Sequence, residues 1–269
     1  MSTPSPALTI YRGSPAPGAY VWSPFVTKLE ARLRFAGVPY KADAGNIRAA
    51  PKGKIPYAEI KSDDNGTSDV TTMGDSALII RHLIDHGILP SLNEGLSPED
   101  RAHDLTIRAL LEDKAFFYNT RERWTENYYI MRDTVLSAIP YPIRVFVASM
   151  IYRNIVAGLY AQGTGRYTAE EVQTFRVEAW EAVSDLLVAA KAKRSSKSGS
   201  GSDEGKPFWV LGGEGPTEAD ASVFGFVASV LVCKAGPKTK ELVKGHPVVL
   251  EYARRIHDAY FPDYELWEE

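Results

Sequence analysis

The spacing of apolar positions changes along this chain. Leu8 to Tyr11 is a short β-branched run and predicts a strand. Pro24 opens a stretch in which Phe25, Leu29, Leu33 and Ala36 share one face, a helix that Gly37 ends. Val38 to Lys41 and Ile55 to Ile60 predict two more strands, the second approached through Pro56. A fourth strand, Asp69 to Met73, follows the turn residues Asp63 to Gly66. Asp75 to His86 then predicts a second helix, with Ile79 and Leu83 turned inward.

Beyond about residue 90 the period is helical throughout. Ser97-Pro98-Glu99-Asp100 and Thr168-Ala169-Glu170-Glu171 are capping boxes. The second leads a helix whose expected apolar face is Val172, Phe175, Ala179, Val183, Leu186 and Leu187. Thr217-Glu218-Ala219-Asp220 caps a segment to Val232 that is apolar nearly all round, which predicts a central buried helix. His246-Pro247 starts a last helix. The pattern therefore predicts a small α+β domain over residues 1–92 and an all-α domain over 96–269. Lys191 to Lys206 is polar and of low complexity, and is expected to be a mobile surface loop.

The most apolar stretch, Ile143 to Tyr160, is interrupted by Arg144, Arg153 and Asn154. It is expected to be a buried or amphipathic helix, since a span needs about 20 mainly apolar residues. The net charge is −3 over 269 residues, so there is neither a basic field for nucleic acid nor a polybasic membrane anchor. The single cysteine, Cys233, excludes an internal disulfide and a Cys-rich zinc site, and suits a reducing compartment. The first residues lack the apolar core of a signal peptide, and a soluble, cytoplasmic protein is expected. Five scattered histidines show no ligand-like spacing, so no metal site is expected.

Three short motifs can carry chemistry. Ser23 sits where the first strand passes into the first helix. There it can cap the helix, or donate a hydrogen bond to a thiolate beside the positive helix end. Lys54-Ile55-Pro56 is either a simple lead-in to a strand or a cis-proline turn that exposes backbone to a peptide-like ligand. Asp75-Ser76 can cap the second helix, and can also offer a carboxylate to an ammonium and N–H groups to a carboxylate.

Their order resembles the glutathione transferase superfamily, a thioredoxin-like domain followed by an all-helical one. Ser23-Pro24-Phe25-Val26 is similar to the Ser-Pro-Phe motif of tau-class enzymes, and Thr217 to Asp220 matches the superfamily's structural capping box. Longer blocks also resemble the failed-axon-connections family and its metaxin relatives: residues 23–30, 51–57, 162–166 and 216–220, with His246-Pro247 and Tyr260-Phe261-Pro262. The resemblance implies glutathione as co-substrate and Ser23 as the group that activates its thiol. It also implies glutathione contacts at Phe25, Lys54, Ile55, Pro56, Asp75 and Ser76. Aromatic residues crowd the start of the helical domain, which in the superfamily faces the cleft. Tyr20, Trp22, Phe117, Trp124 and Tyr128 are the candidate lining for a small hydrophobic electrophile.

The expected activity is serine-type, detoxification-type glutathione transfer. A non-catalytic, metaxin-like scaffold or ligand carrier is the alternative, and a homodimer is the assembly the superfamily implies. Two features depart from the pattern. The loop from Ile10 to Ser23 is longer than in tau enzymes, and no cysteine stands where omega-type enzymes place one. Tyr11 and Tyr20 are next in line should Ser23 not be the activating group.

Overall fold

The computed structural model describes residues 7–14, 16–64, 67–197 and 205–268. Strands β1 (Ala7–Tyr11), β2 (Lys41–Asp43), β3 (Tyr57–Asp64) and β4 (Thr67–Gly74) form one sheet in the order β2-β1-β3-β4. The β1–β2 pair is parallel and the other two pairs are antiparallel. Helix α1 (Pro24–Phe35) is the crossover between the parallel strands, and α2 (Ser76–Asp85) follows β4. Leu8, Ile10, Leu29, Leu33, Ile79 and Leu83 fill the core of this α+β unit, as their spacing predicts.

Strand β2 begins at Lys41 rather than at Val38. The N–H groups of Gly37 and Val38 are taken by the carbonyls of Arg34 and Leu33, which close the end of α1. Strand β3 begins two residues later than the apolar run, at Tyr57, because Pro56 has no N–H to give the ladder. The turn residues Asn65 and Gly66 lie outside the described residues.

The second domain begins with α3 (Pro98–Ala109), whose Ser97 accepts from the N–H of Asp100 at 3.0 Å. The chain then passes through a π-helical turn (Leu110–Ala115), α4 (Phe116–Arg121) and a second π-helical turn (Glu122–Glu126). Helices α5 (Tyr128–Val135), α6 (Tyr141–Gln162), α7 (Ala169–Lys197), α8 (Glu218–Val232), α9 (Pro237–Lys244) and α10 (Pro247–Tyr260) complete it. Thr168 caps α7 in the predicted box, with the Thr168 N–H on Glu171 and the Glu171 N–H on Thr168. Helix α8 is the buried centre; all but two of its residues are enclosed, as its all-round apolar sequence predicts.

Three expectations for this domain fail. Residues 191–197 continue α7 instead of forming a loop. Lys191 pairs with Glu251 at 2.6 Å, Lys193 donates to the Leu211 carbonyl at 3.2 Å, and Arg194 donates to the Pro207 carbonyl. Polar side chains thus dock the last turns onto neighbouring segments through long aliphatic stems. The rest of the expected loop, 198–204, lies outside the described residues. Helix α6 is neither buried nor two-faced: only Ala148 and Leu159 are enclosed. It is also long and apolar enough to cross a membrane, by length and composition. Leu186, placed on the inner face of α7 by its spacing, is 36% exposed.

The two domains meet along α1 and α8. A Cβ at Gly225 would stand 2.6 Å from the Pro24 carbonyl and 2.8 Å from the Lys28 nitrogen, so the two backbones touch there. Helix α1 consequently buries charged positions as well as apolar ones. Lys28 pairs with Glu112 at 2.6 Å, Arg32 with Glu218 at 2.7 Å, and Glu30 with Arg12 at 2.9 Å. The first two cross the domain boundary. Ions buried this way must be paired to be tolerated.

Candidate functional site

The sheet register brings the motifs to one end. Tyr11 stands opposite Tyr57, and Tyr57 opposite Gly74, so one row of residues spans β1, β3 and β4. Just beyond that row lie the loop leaving β1, the Ile55–Pro56 peptide and Asp75. The Ile55–Pro56 bond is cis. The Asp75 N–H donates to the Pro56 carbonyl at 3.3 Å, which joins the second and third motifs directly. Gly13, at φ +76, lies against Ile55; a Cβ there would be 2.6 Å from its side chain.

Asp75 is the only non-glycine residue with positive φ among the described residues (φ 85). Such conformations cost on the order of 1–3 kcal/mol and persist where surrounding structure imposes them, often at functional sites. One carboxylate oxygen, Oδ1, accepts from the N–H groups of Ala77 and Leu78 at 3.0 and 3.2 Å. The side chain is otherwise exposed to solvent. Ser76, 3% exposed, begins α2, where the first N–H groups have no partner within the helix.

Ser23 occupies the N-cap position of α1 in extended conformation, yet its side chain makes no capping hydrogen bond. No acidic residue occupies the first turn of α1, so the positive end of the helix stays unneutralised. The preceding residue is held hard: the Trp22 carbonyl accepts from Arg123 Nη1 at 2.7 Å and from Ser229 Oγ at 2.6 Å. Both donors belong to the helical domain. Pattern reading could not find Arg123, because it acts across 101 positions of sequence. The long loop before Ser23 is likewise fastened, by Arg12 to the carbonyls of Ala16 and Ala19 and by the Glu265 N–H to Gly18.

The family model described as glutathione S-transferase N-terminal domain matches residues 24–130. The isoprene-epoxide glutathione S-transferase of Rhodococcus sp. (strain AD45) is 26% identical, over 94% of this chain and 99% of its own length. Failed axon connections of Drosophila melanogaster is 24% identical over 97% of this chain, and human metaxin-1 is 24% identical over 85%. The chain spans 59% and 46% of those two proteins. A solved glutathione transferase family member from Pseudomonas fluorescens Pf-5, described with two glutathione bound, has the same fold. Its TM-score is 0.52 at 11% identity, covering 96% of this chain and 91% of that one.

Residues 24–130 carry a glutathione S-transferase N-terminal domain. The chain has the glutathione transferase fold, a small mixed sheet followed by a helical domain, and its sequence is similar to transferase and metaxin relatives alike.

Within this transferase fold the candidate apolar residues divide. Trp22, Trp124 and Tyr128 come together with Met131, Cys233, Ala235, Ile151 and Ile155. Phe25 is not free at the sheet end; its ring packs between Phe116 at 5.1 Å and Phe226 at 5.8 Å, in the domain interface. Phe117 continues that row, 5.3 Å from Phe116. Tyr20 is not brought to the Trp22 cluster. It lies in the main helical core among Phe224, Phe261, Tyr264 and Trp267, with its hydroxyl 2.8 Å from His257 Nδ1. Lys54 stays exposed on the loop before the cis peptide.

The alternative activating groups are poorly suited. The Tyr11 ring stacks on Tyr57 at 4.2 Å, and burial, then Glu59, pushes its phenol up to about 12. Burial holds Tyr20 far above the usual phenol range. Cys233 is fully enclosed and burial raises its thiol, so it is no ready nucleophile. No group of three or more His, Cys, Asp and Glu is placed to hold a metal among the described residues.

Proposed function

We propose that this protein binds glutathione at the end of the sheet marked by Ile55-Pro56 and Asp75-Ser76, and transfers its sulfur to a small apolar electrophile. The carrying observation is Ser23: a hydroxyl at the positive end of α1 that does not cap its own helix. A free thiol with a pKa near 8.5 is only about 3% thiolate at pH 7. Lowering it by about two units, a cost of about 2.7 kcal/mol, gives roughly three quarters thiolate. One hydrogen bond to a charged group contributes about 1.5–3 kcal/mol, and a helix N-terminus about 0.3–1 more. Ser23 with its helix therefore supplies enough stabilisation without a metal or a separate base.

In this reading the free Asp75 carboxylate oxygen takes the ammonium of the γ-glutamyl end, and the Ser76 N–H and hydroxyl take its carboxylate, since the N–H groups of Ala77 and Leu78 are held by Asp75. The electrophile lies toward Trp22, Trp124 and Tyr128. Epoxides are the class to try first, because a relative carries that activity in its name. The thiolate attacks a ring carbon, a C–S bond forms, the C–O bond breaks, and the alkoxide takes a proton from water.

Ser23→Ala tests the reading. The fold should persist, thiolate absorbance of bound glutathione should fall, and turnover should drop at least tenfold. Unchanged turnover would remove Ser23 from the mechanism. The second reading, a non-catalytic carrier, draws on the metaxin and failed-axon-connections relatives. It predicts glutathione binding without turnover of any electrophile in a panel.

A further inference from the structure

The least expected feature of this molecule is α6. Its inner side, with Ala148, Ile151, Ile155 and Leu159, rests on the body of the domain and covers the Trp22–Trp124 cluster. Its outer side carries Ile143 (57% exposed), Phe146 (68%), Met150 (52%) and Tyr160 (59%), with Tyr141 (61%) at its start. The spacing 143, 146, 150, 153, 157, 160 is that of one helical face, and Arg153 is its only charged member. Monomeric soluble surfaces rarely leave so long an apolar stripe uncovered.

Charge decides what covers it. Residues 128–167 hold four arginines (132, 144, 153 and 166) and one aspartate, Asp133, a net of +3 in a chain whose total is −3. Asp133 is already shared between Arg132 at 2.8 Å and Arg144 at 3.5 Å. Helix α6 contains no acidic residue, and Arg153 has no ion-pair partner among the described residues. A second copy docking through the same stripe would bury Arg153 against a surface with no free carboxylate, an uncompensated charge. An anionic lipid surface removes that problem. Apolar side chains enter the acyl boundary, the long Arg153 stem lets its guanidinium reach lipid phosphates, and tyrosines at both ends sit at headgroup level.

We propose that the outer face of α6 docks this protein on anionic phospholipid bilayers, lying in the interface and not crossing it. The proposal is independent of glutathione chemistry. It would place the inner cluster of Trp22 and Trp124 directly behind the membrane-bound helix.

The test is flotation of the full chain with vesicles of phosphatidylcholine alone or mixed with phosphatidylserine, at low and high salt. The chain should float with the mixed vesicles and do so less in high salt. Phe146→Ser/Met150→Ser should reduce the bound fraction at least tenfold, with circular dichroism unchanged. Arg153→Gln should lose most of the preference for phosphatidylserine. Phe146→Trp supplies a second readout: its emission should shift to the blue on the mixed vesicles. The proposal is overturned by failure to float, by equal binding to both vesicles, or by binding that the double variant leaves intact. It is also overturned if the wild type forms a dimer that the double variant dissolves, without vesicle binding.

Discussion

Arg123, from the second π-helical turn of the helical domain, donates to the Trp22 carbonyl at 2.7 Å, immediately before Ser23. The hydroxyl of the candidate site is therefore positioned by the other domain. Ser229 Oγ, from α8, makes the second bond to that carbonyl. Arg123→Gln should lower the thiolate fraction of bound glutathione and cut kcat/KM about tenfold or more, since small misplacements at reacting centres are costly. Glutathione KM should change far less, because the proposed contacts at residues 54–56 and 75–76 are untouched. Arg123→Lys, which keeps the charge, should recover part of the loss.

Asp75 has two separable roles. Replacement by alanine removes the cap, at about 1 kcal/mol, and leaves a β-carbon at φ 85 without a local hydrogen bond to support it. Replacement by glycine relieves the backbone and costs only a few tenths for the cap. Asp75→Gly should thus be more stable than Asp75→Ala in urea unfolding. Calorimetric titration should find glutathione binding weakened about equally in both, since both lose the carboxylate.

Gly225 is fixed by contact with another backbone. A methyl group there meets the Pro24 carbonyl and the Lys28 nitrogen at under 3 Å, and neither can swing aside like a flexible side chain. Gly225→Ala should force α8 from α1, destabilise the protein by about 3 kcal/mol or more, and displace Ser23 with the helix it begins. Thermal melts and activity should both register it.

Asp220 ties the start of α8 to its surroundings. Its carboxylate accepts from the N–H groups of Val210 and Thr217, at 2.7 Å each, and from the Tyr252 hydroxyl at 2.8 Å. Burial raises its pKa to about 6 despite these bonds. An unfolded carboxyl titrates near 3.9, so between about pH 4 and 6 the folded chain holds the extra proton. The Asp220 contribution therefore weakens as pH rises through that window and is constant above it. Asp220→Asn should flatten this part of the stability profile in urea titrations at several pH values. Asp220→Ala should cost about 3 kcal/mol, because several buried donors lose their acceptor.

The helical period of 24–36, the capping boxes at Ser97, Thr168 and Thr217, and the apolar sequence of α8 are local signals, and each element forms where they stand. The order of Ser23, Ile55-Pro56 and Asp75-Ser76 was also legible, since those motifs sit at element boundaries where few residue types serve. What the sequence could not reveal depends on pairs far apart in the chain. The burial of Lys28, Glu30 and Arg32, Arg123 behind Trp22, and the backbone contact at Gly225 exist only once α8 lies on α1. Residues 191–197 continue a helix because Glu251, Leu211 and Pro207 lie within reach of their side chains.

Helix α6 shows the same division most clearly. Its sequence determined that a long apolar helix would form, since periodicity and propensity act between near neighbours. Whether that helix would be buried was decided by the tertiary structure, because burial depends on what the rest of the chain has left to cover it. The core of α8 is already closed by α1, α3, α9 and α10, so the outer face of α6 remains open.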